Sequence, residues 1–231
     1  MDDFEIKDGV LVKYYGRNQT VVIPEGTTMI GEGAFEGNAS IISIEMPSSI
    51  CKIEQHAFAR CLNLLNINLP DSITKIGSFA FSSCKILTLS TKELPQSLTD
   101  IGEEAFSYCN RLSELVFPSK LESIGAKAFF KCESLAKIKL NKNIKFIGFS
   151  AFGFTKIKEI FYNGTVEEFG AIKSGLPPEF ESSALFPISD SSSGSLTLFG
   201  PHAPILHCKD MKDDLNAVLA KLQGLVNEIE Q

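Results

Sequence analysis

The chain has 231 residues, 44% apolar and 22% charged, with a net charge of −6. This is the balance of an ordinary globular protein, and it argues against nucleic-acid binding, which leaves a basic footprint. No apolar run approaches the roughly 20 residues of a membrane span, and the start Met1-Asp2-Asp3-Phe4 lacks the basic and apolar regions of a signal peptide. A cytoplasmic protein is therefore expected if Met1 is the native start, with a secreted or cell-surface location as the alternative.

The first predicted element is a hairpin. Phe4-Glu5-Ile6-Lys7 and Val10-Leu11-Val12-Lys13-Tyr14-Tyr15 flank Asp8-Gly9, a dipeptide whose backbone suits the tight turn between antiparallel strands. Residues 1–22 are assigned as an N-terminal hairpin cap. Thr20 to Ile23 then leads into the first of a series of repeats.

An Ala-Phe pair returns six times, at Ala34-Phe35, Ala57-Phe58, Ala80-Phe81, Ala105-Phe106, Ala128-Phe129 and Ala151-Phe152, at intervals of 23, 23, 25, 23 and 23 residues. A period of this size signals stacked coils. Other columns keep the beat. An apolar residue stands at Ile23, Met46, Leu69, Leu94, Phe117 and Leu140, followed by proline in the first five and by Asn141 in the last. Proline cannot donate to a ladder, so it marks the end of a short strand such as Asn66 to Leu69. Ile30, Ile53, Ile76, Ile101, Ile124 and Ile147 form the next inward column. Glycine follows each of them except Ile53, which precedes Glu54; this suggests a corner needing positive φ or close approach to the next coil. The 25-residue interval places two extra residues within Leu87 to Glu93, expected as a local bulge. Cys61, Cys84, Cys109 and Cys132 each lie three residues after the repeat Phe. Side chains in such a ladder point the same way, so buried thiols are expected in preference to disulfides.

These columns resemble the BspA-like group of leucine-rich repeats over about residues 20 to 163, with departures at Asn38 and Thr155 in the cysteine column and Asn141 at the proline position. The resemblance implies a leucine-rich-repeat right-handed solenoid: β-rich α/β, with a parallel sheet on one face and short turns or 3₁₀ segments elsewhere. The expected organisation is a six-coil solenoid over 23–163, a C-terminal cap and Ser/Pro-rich loop over 164–209, and an amphipathic helix over 210–231.

Beyond the repeats, Thr165 and Glu168 form a capping-box pattern, predicting a helix from Val166 to about Ser174 that stops at Gly175. Residues 177–195 carry tandem prolines and seven serines and read as an irregular loop. Leu196 to Phe199 and Ile205 to Cys208 are candidates to pair as a last piece of sheet. From Lys212, apolar residues Leu215, Val218, Leu219, Leu222, Leu225, Val226 and Ile229 share one helical face. Such a helix either folds back over the last coil or self-associates with a copy of itself.

Few residues suggest chemistry. His56 occupies a variable position before the repeat Phe and is expected to be exposed. His202, His207 and Cys208 cluster near Asp210, but their spacing matches no metal motif. No phosphate loop, paired catalytic carboxylates or cofactor motif is found. The sequons at Asn18, Asn38 and Asn163 are of a length that chance supplies. No catalytic residue, metal or cofactor is assigned.

Outward positions of the strand row are Ser43, Glu45, Asn66, Asn68, Glu114, Val116, Lys137, Lys139, Glu159 and Phe161. The row passes from acidic Glu114 to basic Lys137 and Lys139, with no aromatic cluster beside it. It is the candidate protein-binding face of a non-catalytic protein–protein interaction scaffold. The alternative is a bacterial cell-surface or secreted adhesion module recognising host or matrix proteins, a reading that the resemblance supplies.

Overall fold

The computed structural model describes residues 3–174 and 204–208. The chain winds as a solenoid whose coils each place one strand on each of two faces. β1 (Phe4–Lys7) and β2 (Val10–Tyr14) form the antiparallel hairpin, with Asp8 and Gly9 both left-handed (φ 50° and 77°) as the two-residue turn requires. The first three coils hold β3 (Thr20–Val22) and β4 (Met29–Ile30), β5 (Ser43–Glu45) and β6 (Lys52–Ile53), β7 (Asn66–Ile67) and β8 (Lys75–Ile76). The next three hold β9 (Thr88–Leu89) and β10 (Asp100–Ile101), β11 (Glu114–Val116) and β12 (Ser123–Ile124), β13 (Lys137–Leu140) and β14 (Phe146–Ile147). A closing turn follows with β15 (Glu159–Tyr162), helix α1 (Val166–Gly170) and β16 (Lys173–Ser174), and β17 (Ile205–His207) is the last strand among the described residues.

The resemblance implied one sheet, and the coils build two sheet faces. The isoleucine-glycine segments make a continuous nine-stranded sheet, β1-β2-β4-β6-β8-β10-β12-β14-β16, in which β2 leaves its hairpin to pair parallel with β4. Each strand from β4 onward is two residues long, too short to show an alternating period in sequence. The face predicted from the proline-terminated strands is split into β3-β5-β7-β9 and β11-β13-β15-β17. The two extra residues cause the split: Ser90 to Lys92 bend out, and only the bridge Glu93↔Val116 crosses the gap. The insertion is thus a break in the sheet rather than a bulge within a continuous ladder.

The third side of each coil is the Ala-Phe turn, and it too is laddered. The amides of Phe58, Phe81, Phe106 and Phe129 donate to Ala80, Ala105, Ala128 and Ala151 carbonyls at 2.7 Å. The same ladder stacks the six phenyl rings at centroid distances of 4.9, 5.1, 5.0, 5.3 and 5.3 Å, with interplanar angles of 16° or less. Tyr14 caps the column at 5.2 Å from Phe35, and Phe4 covers Tyr14. Beside it runs the thiol column. The Sγ atoms of Cys61, Cys84, Cys109 and Cys132 donate to the carbonyls of Phe35, Phe58, Phe81 and Phe106, one coil back, at 3.1–3.2 Å. No disulfide joins the described cysteines, and these four are buried. Thr155 replaces the thiol with a hydroxyl donating to Phe152 O at 2.8 Å.

Of the two explanations offered for the repeat glycine, close approach is correct. An added Cβ at Gly125 would stand 2.5 Å from both Glu103 N and Gly102 C, so the coils touch backbone to backbone there. Left-handed residues occur in two neighbouring columns instead, at His56, Phe79, Glu104, Lys127 and Ser150, and at Arg60, Ser83, Tyr108, Lys131 and Phe154. His56 is therefore a half-buried turn residue stacked on Phe79 at 4.9 Å, and not the exposed side chain expected.

At the C-terminal end the capping box is present, with Thr165 accepting from Glu168 N and Glu168 accepting from Thr165 N. Helix α1 is shorter than predicted and stops at Gly170. The unpaired edge of β14 recruits Lys173–Ser174 as β16, and a strand edge with free backbone groups competes effectively against one more helical turn. Phe169 and Ile172 seal the last coil, Phe169 packing edge-on against Tyr162 at 5.1 Å. β17 adds to β15 in parallel register. Its proposed companion Leu196–Phe199, the 177–195 loop and the 210–231 helix lie outside the described residues.

Candidate functional site

The ten candidate residues stand outward on the split face, but they do not form one uniform row. In its first half the polar side chains serve the stack. Asn68 accepts from Met46 N at 2.8 Å and donates to Met46 O at 3.2 Å, so its amide replaces a missing rung of backbone ladder. Asn66 Oδ1 accepts from Thr88 Oγ1 at 3.1 Å. Ser43 sits in register with Asn66, and Glu45 is exposed beside them.

The second half contains an alternating charge ladder. Lys92 Nζ lies 2.5 Å from Glu114 Oε2, and Lys137 Nζ lies 3.4 Å from Glu159 Oε2, while Glu114 and Lys137 are register partners. The Lys92 ammonium, hydrogen-bonded to Glu114, holds that carboxyl below its ordinary range. This overturns the simple change of sign read along the row, because Glu114, Lys137 and Glu159 largely neutralise one another. Exposed pairs of this kind contribute about 0–1 kcal/mol each.

The adjacent line is different. Val116, Lys139, Phe161 and His207 occupy successive register positions on β11, β13, β15 and β17. The Phe161 ring lies 4.5 Å from the His207 ring, nearly parallel at 10°, and 4.5 Å below the Lys137 ammonium. Among the described residues no carboxylate lies within salt-bridge distance of Lys139, which is exposed. An aromatic cluster therefore does accompany the row. Sequence reasoning missed it because His207 lies 46 positions beyond Phe161, outside the repeat columns. The sequence carries a strand signal at Ile205 to Cys208, but nothing in it fixes β15 as the pairing partner.

Nothing in this arrangement resembles a reaction centre. Burial pushes the Cys61 thiol up to about 12 and raises those of Cys84, Cys109 and Cys132 well above their ordinary value. Such thiols are inert as nucleophiles. Among the described residues no group of three or more His, Cys, Asp and Glu could hold a metal ion; His207 and Cys208 sit at β17, while His202 and Asp210 lie outside the description. No helix among the described residues is long and apolar enough to cross a membrane.

Stacked parallel coils, a buried phenylalanine ladder and an outward sheet face define a repeat protein of the leucine-rich class, whose members generally serve as interaction scaffolds and surface proteins and are typically non-enzymatic. Six copies of the BspA type leucine rich repeat region match over residues 13–91 and 86–172, and the chain belongs to that family. Among solved structures it is similar to the Treponema pallidum leucine rich repeat protein, at 29% identity and a TM-score of 0.60 over 75% of this chain and 85% of that one. It is also similar to a leucine rich cell surface protein from Faecalibacterium prausnitzii, at 24% identity and a TM-score of 0.60, covering 72% of this chain but only half of that protein. A leucine-rich repeat protein from Eubacterium ventriosum shares the fold at 21% identity and a TM-score of 0.55, covering 74% of this chain and 48% of that one. No curated protein sequence matches the chain.

Proposed function

We propose that the chain is a non-catalytic scaffold that binds a protein partner on the outward face of β11, β13, β15 and β17. The observation that carries this reading is the Phe161 ring, flanked by His207 and by the Lys137 ammonium, beside the uncompensated Lys139. An aromatic anchor next to a charge able to select its partner is the composition of an interface hot spot. The self-neutralised ladder of Glu114, Lys137 and Glu159 forms its polar margin, and the Asn66–Asn68 half of the row serves stability. Inert, buried thiols support the non-catalytic part of the reading.

A second reading, an adhesion module at a bacterial surface, is favoured by membership of a family that includes surface proteins. One experiment addresses both. Wild type and a Lys139→Glu, Phe161→Ser variant, shown to be folded by circular dichroism, are used to capture partners from native lysate and from extracellular-matrix extract. A partner held by wild type and lost by the variant supports the face, and its origin separates the two readings. Equal capture by both proteins overturns the assignment of this face.

A further inference from the structure

The solenoid carries a second cluster on its Ala-Phe side, away from the split sheet. Tyr108, Lys131 and Phe154 hold the same position in coils four, five and six, two residues after the repeat Phe, and Phe130 stands beside Lys131. The Lys131 ammonium lies 5.2 Å from the Tyr108 ring, 5.8 Å from Phe130 and 5.8 Å from Phe154. Phe130 meets Phe154 edge-on at 5.1 Å and Tyr108 at 6.0 Å. Phe154 is 53% exposed, a large apolar surface left in water.

Two observations separate this cluster from coil architecture. The column is left-handed throughout, with φ of 60°, 55° and 57° at Tyr108, Lys131 and Phe154, and bulky residues are disfavoured in that conformation. Coils one to three fill it with Gly37, Arg60 and Ser83, so winding the coil does not require aromatic rings there. The charge at the cluster is also uncancelled. The neighbouring Lys127 is paired with Glu104 at 3.8 Å. Arg60, in the same column, is compensated by Glu36 at 2.6 Å. Lys131 has no carboxylate within 4 Å among the described residues, only ring faces, which attract a cation but leave its charge uncancelled.

We infer that Tyr108, Phe130, Lys131 and Phe154 form a second docking surface for an acidic segment of another protein. A carboxylate of the partner pairs with Lys131, and a neighbouring apolar side chain covers the Phe130–Phe154 edge. Peptide is favoured over an anionic polysaccharide because one cation stands among three rings, a geometry suited to a single carboxylate with apolar flanks and not to a repeating charge.

The test uses the full chain and a fluorescein-labelled pentapeptide of one phenylalanine between pairs of glutamates, read by fluorescence anisotropy. The expected result is saturable binding, weakened at least about tenfold by Lys131→Gln and by Phe154→Ser, and unchanged by Lys75→Gln, an exposed lysine of the nine-stranded face. Both variants should keep the wild-type melting transition, since the substituted side chains lie outside the core. Equal binding of the lysine counterpart of the peptide would overturn the inference. So would binding of a sulfated oligosaccharide without the peptide, or indifference to Lys131→Gln. The surface of the proposed function is untouched by those outcomes.

Discussion

Replacing Phe106 by alanine removes one ring from the middle of the ladder. The side chain is fully buried, with Phe81 stacked at 5.0 Å on one side and Phe129 at 5.3 Å on the other. Burial of a phenylalanine stabilises by about 1.5–3 kcal/mol, and each lost ring pair adds roughly 0.5–1.5 kcal/mol beyond area. The ladder amides cannot close the gap without breaking the 2.7 Å bond from Phe106 N to Ala128 O, so collapse is limited. The expected loss is about 3–5 kcal/mol, the range of large aromatic truncations in cores. Urea titration followed by far-ultraviolet circular dichroism measures it, with Phe154→Ala as an exposed control expected within about 0.5 kcal/mol of wild type. A loss below about 1 kcal/mol for Phe106→Ala would refute the interior assignment of the column. A changed m-value would show instead that the array no longer unfolds as one unit.

The thiol column makes two further expectations. A disulfide-exchange reagent should modify exposed Cys51 in the native protein and reach Cys61, Cys84, Cys109 and Cys132 only on unfolding; rapid native modification of Cys109, read by mass spectrometry, would contradict its burial. Because burial raises these pKa values, the unfolded chain loses thiol protons first. Their stability contribution is complete below about pH 8.5 and falls as pH rises toward the folded value, about 12 for Cys61. The drop in unfolding free energy from pH 7.5 to pH 10 should be about 1–2 kcal/mol smaller in Cys109→Ala than in wild type; an identical drop would exclude the thiol as its source. Gly125→Ala should destabilise by about 1–3 kcal/mol, as overpacking does, because its Cβ would stand 2.5 Å from Glu103 N and Gly102 C. Tolerance without loss, read by the same titration, would mean that adjacent coils separate freely there.

The repeat columns were legible because each inward position recurs six times, so burial of Phe, Ile and Cys could be read from the beat alone. The hairpin was legible from Asp8-Gly9, whose backbone preference is local. Strands such as Lys75–Ile76 were not, since two residues carry no period and their pairing partner lies 23 positions away. The end of α1 was missed because propensity at Ala171 to Ser174 yields to the open edge of β14, a tertiary effect. The same limit applied to the candidate face. Outward residues followed from alternation, but neutralisation of Glu114 by Lys92 depends on the insertion bend, and stacking of His207 on Phe161 depends on a strand outside the repeat.

The central claim is that a protein partner docks on the face around Phe161. Its most direct test is site-specific photocrosslinking in native lysate and matrix extract, with the photoreactive residue placed at Val116, the register neighbour of Lys139, or, as control, at Lys75 on the nine-stranded face. The account predicts a discrete protein adduct from position 116 that disappears in the Phe161→Ser background and is absent from position 75. Adducts from position 75 alone, or an adduct at 116 indifferent to Phe161→Ser, would contradict it.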